Sequence, residues 1–199
     1  MRKLYYAPLI HKLRNEIVPG ICGMLERRNI DTKAIDDYTD IYYLKLEKKA
    51  EKLKGRVDKV YRDGINYGHD THVRTIKDSK RPLSILVRSF ADEGARLMKT
   101  ESTPHVETMN AICDLMKKMR NKRKFERLIE LKAECNAQRD VYVAHRIDVT
   151  LAEGEEAILF MGAAHNIRLD DSITVEYLYT PAYAHREYSR AGRLGSRSV

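Results

Sequence analysis

Short apolar runs and longer stripes of apolar residues at helical spacing alternate along this 199-residue chain. Runs with the length and the apolar or alternating pattern of strands occupy residues 3–10, 57–62, 157–161 and 172–179. Pro8 excludes a helix interior for the first run, and the wholly apolar third run is typical of a central strand buried on both faces. We therefore predict four strands.

Stripes of apolar residues predict helices between these strands. They cover residues 12–28, 31–55, 82–94, 104–120 and 125–151. The first stripe is interrupted by Pro19 and Gly20, so a kinked helix or two short helices are expected there. Residues 66–81 are polar, are interrupted by Gly68 and lack a period, which predicts a loop.

The order of these elements predicts an α/β fold in three layers, helix-dominated, with a small and mostly parallel central sheet flanked by long helices. Residues 1–181 are expected to form a single domain, because a chain of 199 residues is of the usual size for one core. Residues 182–199 hold arginines and few apolar side chains, so this basic tail is expected to pack little.

The composition adds information on the core and the compartment. Charged residues make up 33% of the chain and tryptophan is absent, so the core is expected to be aliphatic with tyrosines at its rim. The first apolar run ends at once in His11 and Lys12, and no run approaches the ~20 apolar residues of a membrane span. The three cysteines are far apart, which predicts neither a disulfide framework nor a zinc knuckle. A soluble protein of the reducing cytoplasm is the prediction.

The formal net charge of +8 is concentrated in two segments. Six positive side chains lie within residues 117–124, and the tail from Pro181 adds three net positive charges. A nucleic-acid accessory function through residues 117–124 is therefore one alternative. No aromatic residues are interleaved in that run, which favours a solvated helix junction over a nucleic-acid contact.

Two histidines follow predicted strands. His11 comes directly after the first strand, and His165 follows Met161 and three small residues that allow a sharp turn. The carboxyl ends of parallel strands form the edge at which α/β sheets bind ligands. If the two strands are neighbours, both imidazoles and Asp63 converge on one crevice. Glycine-rich nucleotide loops and the usual hydrolase and zinc-protease motifs are missing, so no nucleotide cofactor is predicted.

The segment Q-R-D-V-Y-V-A at residues 138–144, followed by L-F-M-G-A-A-H at residues 159–165, resembles the closing half of the TraB/GumN-type superfamily. That superfamily is related to ChaN-like and erythromycin-esterase-like proteins, and it combines an R-D-x-x-x-A helix with a strand ending in G-x-x-H. The opening half is similar, with P-L-I-H at residues 8–11 and a strand that closes on Asp63. Pro8 stands in place of the family's glycine, and Asp63 in place of its usual glutamate.

A second resemblance connects the chain with uncharacterised prokaryotic proteins. These proteins share a strand ending in I-I-H, a D-G turn, and a stretch similar to G-A-R-L-M-K-T-E at residues 94–101. The likeness covers about residues 1–180. It implies no known reaction.

The superfamily resemblance implies a hydrolase of a peptide or small-molecule substrate, with a crevice formed by His11, Asp63, Glu101, Arg139 and His165. Some family members look like metal-dependent peptidases, which implies that His11 and His165 bind a divalent metal such as Mn, Fe, Co or Zn. Asp63, Glu101 and Arg139 are then the candidate catalytic residues, and the two carboxylates could serve as further ligands or as general bases.

Each of these assignments has a structural alternative. A histidine at a strand end is often only a hydrogen-bonded structural residue, which leaves a non-catalytic ligand- or metal-binding protein as an alternative function. Arg139 is expected either to clamp a substrate carboxylate or phosphate, or to hold the crevice together by pairing with Asp63 or Glu101. His69 and His72 resemble a local metal clip, although a polar loop that contains histidines is favoured.

Overall fold

A computed structural model describes residues 1–10, 32–163 and 165–180, and gives the side chains from residue 39 onwards in the second of these ranges. The helices predicted over residues 12–28 and the basic tail lie outside the described residues. His11 lies outside them as well, so its predicted convergence with His165 stays a prediction.

Five parallel strands form one sheet. They are β1 (Arg2–Leu9), β2 (Lys59–Arg62), β3 (Arg96–Leu97), β4 (Glu156–Gly162) and β5 (Ile173–Tyr177), arranged in the order β3-β2-β4-β1-β5. All four predicted strands are present, and the α/β prediction is confirmed. The sequence analysis missed β3, because two residues are too few to display an alternating pattern.

Five α-helices lie among the described residues. They are α1 (Thr32–Ala50), α2 (His69–Ile76), α3 (Pro82–Asp92), α4 (Thr103–Lys118) and α5 (Lys122–Thr150), and a 3₁₀ turn, Glu51–Leu53, follows α1. The loop prediction for residues 66–81 was wrong, because α2 occupies the middle of that segment. Only His72 and Ile76 of α2 are buried, so this helix presents a single i, i+4 pair rather than a stripe.

Local sequence signals determine where the other helices begin and end. Pro82 occupies the first turn of α3, where its missing N–H removes no helical hydrogen bond. The Ser102 hydroxyl accepts a hydrogen bond from the His105 amide at 3.3 Å, and the Asn121 side chain accepts one from the Lys124 amide at 3.0 Å. The Ser102 cap begins α4, and the Asn121 cap begins α5 at the helix junction that the sequence predicts.

The strands β1, β2 and β4 bury alternate residues on opposite faces of the sheet. On one side, here called the α1/α3 face, Tyr5, Val60 and Phe160 pack in one cluster with α1 and α3. On the other, the α5 face, Tyr6 and Leu159 pack with the C-terminal half of α5. A fully buried side chain such as Phe160 contributes about 1.5–3 kcal/mol of transfer free energy, so both faces stabilise the sheet. The sheet is therefore the middle of three layers.

The N-terminal half of α5 packs elsewhere. Together with α4 it forms a hairpin with a small apolar cluster of its own, built from Ile112, Met116, Leu128 and Cys135. Among the described residues, no helix is long and apolar enough to cross a membrane.

The order of the strands creates a crevice at one edge of the sheet. β2 and β4 are neighbours, but the chain leaves β2 towards β3 at one side of the sheet and leaves β4 towards β5 at the other. Adjacent parallel strands whose connections diverge leave an open crevice at their carboxyl ends, which is where α/β sheets bind ligands. The candidate site lies in this position.

Candidate functional site

Four of the five predicted site residues come together at the carboxyl ends of β2 and β4. Asp63 directly follows β2, and its amide donates a hydrogen bond of 2.8 Å to the Phe160 carbonyl of β4. Glu101 lies after β3, Arg139 lies on α5, and His165 is the third residue after β4. His11 is outside the described residues.

Arg139 is the centre of a buried network. Its Nε and Nη2 atoms donate to the two carboxylate oxygens of Glu101 at 2.6 and 2.5 Å. Nη2 also donates to Asp63 Oδ1 at 2.7 Å, and Nη1 donates to Asn136 Oδ1 at 3.0 Å. The second alternative for Arg139 is therefore confirmed: it holds the crevice together. Its side chain is only 9% exposed and fully engaged, so it is poorly placed to clamp a substrate.

The backbone places Glu101 beneath this guanidinium. The amides of Thr100 and Glu101 both donate to the Ile65 carbonyl, at 2.9 and 2.8 Å, which ties the segment after β3 to the loop after β2. The Gly64 amide of that loop donates to Glu101 Oε1 at 2.7 Å. Gly64 has a φ of 79°, a conformation that side chains other than glycine adopt at a cost. The loop and the carboxylate therefore position each other.

The two carboxyl groups differ in their affinity for a proton. Burial, reinforced by the hydrogen bond with Glu101, raises the pKa of Asp63 above its ordinary value, against the opposing charges of His165 and Arg139. Burial also acts to raise the pKa of Glu101, but the hydrogen bonds from Arg139 and Asp63 outweigh it and lower that pKa to about 2. Asp63 is therefore the carboxyl group of this pair with the higher pKa.

His165 is held by a carboxylate that the sequence analysis did not assign to the site. Its Nδ1 atom is hydrogen-bonded to Asp140 Oδ1, and the other Asp140 oxygen accepts from the Asn166 amide at 2.8 Å. A proton on Nδ1 leaves the lone pair of the neutral imidazole on Nε2. That nitrogen lies 3.8 Å from Asp63 Oδ2. Asp140 and His165 thus form an oriented carboxylate–imidazole pair.

A signal for Asp140 was present in the R-D pair at residues 139–140. Consecutive helix residues lie about 100° apart around the axis, so both can face the same sheet edge.

Tyr6 is a second residue near the site that the sequence analysis did not select. Its hydroxyl is buried on the α5 face and has no hydrogen-bond partner among the described residues. Burial, followed by the charges of Asp140, Tyr177 and Asp63, raises its pKa, which places the phenol close to the site.

The donor atoms were tested for their fit to a divalent metal. Within residues 1–10, 32–163 and 165–180, no group of three histidine, cysteine, aspartate or glutamate side chains could hold a metal ion. The suggested clip of His69 and His72 is not such a group either, since His69 Nδ1 accepts a hydrogen bond from the Leu97 amide at 3.0 Å. Asp63 and Glu101 are engaged by the Arg139 cation. The described residues alone do not make a metal site.

A surface cleft of about 340 Å³ reaches the Asp140 side chain from outside. It is lined by Ala137, Asp140, Val141, Ala144, Asn166 and Arg168. The alanines leave space between α5 and the segment after β4, so a small ligand could approach the Asp140–His165 pair from this side.

The basic residues 117–124 lie at the exposed junction of α4 and α5, far along the hairpin from the sheet cluster. Lys117 forms an ion pair of 2.9 Å with Asp114, and Lys122 lies 3.9 Å from Glu126. The nucleic-acid alternative stays a prediction.

Comparison of the chain with protein-family models, with curated proteins and with solved structures gives no match.

Proposed function

We propose that this protein is a hydrolase of the TraB/ChaN-like superfamily, in which His165 is the general base and Asp63 the general acid. The observation that supports this proposal is the arrangement of three side chains. Asp140 is hydrogen-bonded to Nδ1 of His165, and Asp63 Oδ2 lies 3.8 Å from Nε2 of the same ring. A carboxylate that orients an imidazole in one tautomer is a recurrent device of acyl-transfer enzymes.

The reaction follows from the proton positions. Nε2 of His165 takes a proton from a water molecule, and the water oxygen attacks the acyl carbon of an ester or peptide. The leaving group takes the proton held by Asp63 as the tetrahedral intermediate collapses. The proton on His165 then returns to Asp63 across the gap between them. One water is consumed, one acyl bond is broken, and both side chains recover their starting states.

Arg139 and Glu101 are positioning residues in this scheme. Arg139 holds Asp63 through Nη2, while Glu101 shares the same guanidinium and releases its proton more readily than Asp63. The pKa values of two neighbouring carboxyl groups are thereby driven apart, which assigns Asp63 to the acid role.

The superfamily resemblance also raises a metal-dependent version. A divalent metal would polarise the substrate and activate water. His165 Nε2 and Asp63 Oδ2 are the described atoms nearest to such a role, and His11 would have to supply the further ligand. No step above depends on it.

The test is turnover of ester and peptide libraries by purified protein, before and after loading with Mn, Co or Zn. His165→Asn should lower kcat by about 10²–10⁴-fold, and Asp140→Asn should lower it in the same direction. His145→Asn is the matched control, because His145 is an exposed histidine on α5. Elemental analysis of the purified protein decides whether the metal-dependent version applies.

Two results would overturn the proposal. Full activity of the His165→Asn protein would show that His165 is not the general base. An absence of turnover with every substrate and metal would favour the non-catalytic ligand-binding alternative, in which the same crevice binds without reacting.

A further inference from the structure

A row of apolar side chains on α5 is left outside the core. Ala137, Val141 and Ala144 are spaced i, i+4 and i+7, so they lie on one side of the helix, and Asp140 lies on that side as well. Val141 is 72% exposed, although Val143 of the same helix is fully buried against the sheet. This row forms one wall of the cleft of about 340 Å³. It offers a ligand an apolar surface.

The other wall of the cleft is polar. In the segment after β4, Ile167 and Leu169 pack against the cluster of the α5 face. The alternate residues, Asn166 and Arg168, are exposed and line the cleft. No hydrogen bond or ion pair joins the Asn166 carboxamide or the Arg168 guanidinium to another described residue. The N–H groups of both side chains are therefore available to a ligand.

The acidic residue of this lining is already engaged. Oδ1 of Asp140 is hydrogen-bonded to His165 Nδ1, and Oδ2 accepts from the Asn166 amide at 2.8 Å. The unpaired charge that lines the cleft is thus the positive charge of Arg168. A guanidinium binds a carboxylate through two parallel N–H···O hydrogen bonds. The cleft therefore suits a carboxylate on a small apolar body, and its volume is at the lower end of the range of roughly 300–1,000 Å³ for ligand sites.

We propose that this cleft binds the C-terminal residue of a peptide, with Arg168 holding the carboxylate and the α5 wall contacting a small apolar side chain. The Asn166 carboxamide is then available to the peptide group of that residue. The choice of a peptide rests on the proposed hydrolase function. Only the imidazole ring separates Asp140 from Nε2 of His165, so a chain anchored in the cleft can extend towards the reactive nitrogen. Arg168 is then a specificity-determining residue for peptides with a free carboxyl terminus.

The test is an NMR titration of the ¹⁵N-labelled full chain with two probes. One probe is N-acetyl-alanyl-alanine with a free carboxylate, and the other is the same dipeptide with a C-terminal amide. The free-acid probe should shift the signals of the cleft residues, including Asn166 and Arg168. The amide probe should bind at least about tenfold more weakly, because it lacks the charge that Arg168 holds.

Three variants assign the binding to the cleft. Arg168→Gln should weaken binding of the free acid by at least about tenfold, and Arg168→Lys by less, because lysine keeps the charge but loses the planar fork. Arg123→Gln is the matched control, since Arg123 is an exposed arginine of α5 outside the cleft and should leave the affinity unchanged. Ala137→Leu fills the cleft from an exposed helix position with another good helix former, so it should weaken binding of both probes.

Circular dichroism establishes that each variant is folded, and Ala137→Leu tests the cleft independently of the charge. Equal affinity for the two probes, equal affinity of the wild-type and Arg168→Gln proteins for the free acid, or no binding at about 10 mM would overturn the site. Cleavage of the probe is read from its own proton signals in the same sample. Binding without cleavage counts against the hydrolase and not against the cleft, whereas cleavage that Arg168→Gln leaves unchanged counts against the cleft and not against the hydrolase.

Discussion

Two arginines lie at the same edge of the sheet in opposite circumstances. Arg139, on the α5 face, donates to Glu101, Asp63 and Asn136 within 3.0 Å. Arg62, on the α1/α3 face, has no hydrogen bond or ion pair from its guanidinium to any described residue. A buried cation with partners stabilises its surroundings, whereas one without partners is retained at a cost. The difference teaches that the Arg139 network stabilises this edge of the sheet, whereas the Arg62 charge is not expected to do so.

The same contrast extends to the neutral groups. On the α5 face, Tyr61 forms a hydrogen bond of 2.8 Å with Thr150 Oγ1. Tyr6 on that face, and His72 on the other, bury polar atoms without partners among the described residues. Native proteins leave few buried polar groups unsatisfied, so each such group is informative.

The largest effect is expected when Arg139 is removed. Arg139→Leu leaves two buried carboxyl groups without their cation, and should lower the free energy of unfolding by about 3–5 kcal/mol. Urea denaturation measures this change. Arg127→Leu is the control, because its ion pair with Glu130 is exposed to solvent and should contribute little to stability. A loss as small as the control's would show that the network does not stabilise the fold.

The next effect is a pH dependence of the same network. The pKa of Glu101 is about 2 in the folded protein against an ordinary value of 4.5, so its contribution is present above about pH 4.5 and is lost as the pH falls towards 2. The stability difference between the wild type and Glu101→Gln should therefore shrink in that window, by an amount on the order of 2 kcal/mol.

Asp63 supplies a control, because its contribution to stability should change with pH in the opposite direction. Its pKa is raised, so its contribution is largest below its ordinary value of 3.8 and is lost as the pH rises through the folded-state pKa. The Asp63→Asn protein should gain stability relative to the wild type as the pH rises. A parallel response of the two variants would contradict the assignment of the proton to Asp63.

A smaller effect, with the opposite direction to that of Arg139→Leu, is expected at Arg62. Arg62→Met removes an unpaired, half-buried charge and keeps an unbranched side chain, so stability should stay the same or rise by up to about 1 kcal/mol without added ligand. Thermal denaturation in a chloride buffer is the measurement. A loss of more than about 1 kcal/mol would show that Arg62 has a structural partner, and would make the two arginines alike.

The smallest effects distinguish the two tyrosines of the α5 face. Tyr61→Phe should cost about 1 kcal/mol, because the hydrogen bond between the Tyr61 hydroxyl and Thr150 Oγ1 is lost. Tyr6→Phe should be neutral or slightly stabilising, because its hydroxyl makes no hydrogen bond among the described residues. Both values come from the same denaturation series. Equal losses would indicate a contact of Tyr6 beyond the described residues.

The sequence-based predictions succeeded for elements that are long enough to show a repeated pattern of residues. Long segments such as α5 and β4 combine a period with caps or bounding glycines, and they occur where expected. The short elements failed: β3 has two residues, and α2 has one buried i, i+4 pair, so neither carries a pattern long enough to detect. Local patterns are reliable only where several residues repeat them.

The candidate site was predicted in part. Asp63, Glu101, Arg139 and His165 were selected from motifs and strand ends, and the fold brings these four together. Asp140 was adjacent to a selected residue but was not assigned to His165, because the residue that a helical carboxylate faces is set by packing against the sheet. Arg62 belongs to no motif. Its guanidinium has no hydrogen bond or ion pair to a described residue, and no sequence pattern can express that.

The sequence by itself determined the longer elements of the chain, because periodicity, caps and turn residues act between neighbours a few positions apart. The tertiary structure alone decided that β4 lies between β1 and β2, and that the chain leaves β2 and β4 in opposite directions. It also decided which arginine reaches the carboxylates. Arg139 and Glu101 are 38 residues apart in the chain, and only the packing of α5 across the sheet makes them neighbours. The choice of partner for a charged side chain is a long-range property, so the same residue type is paired in one place and without a described partner in another.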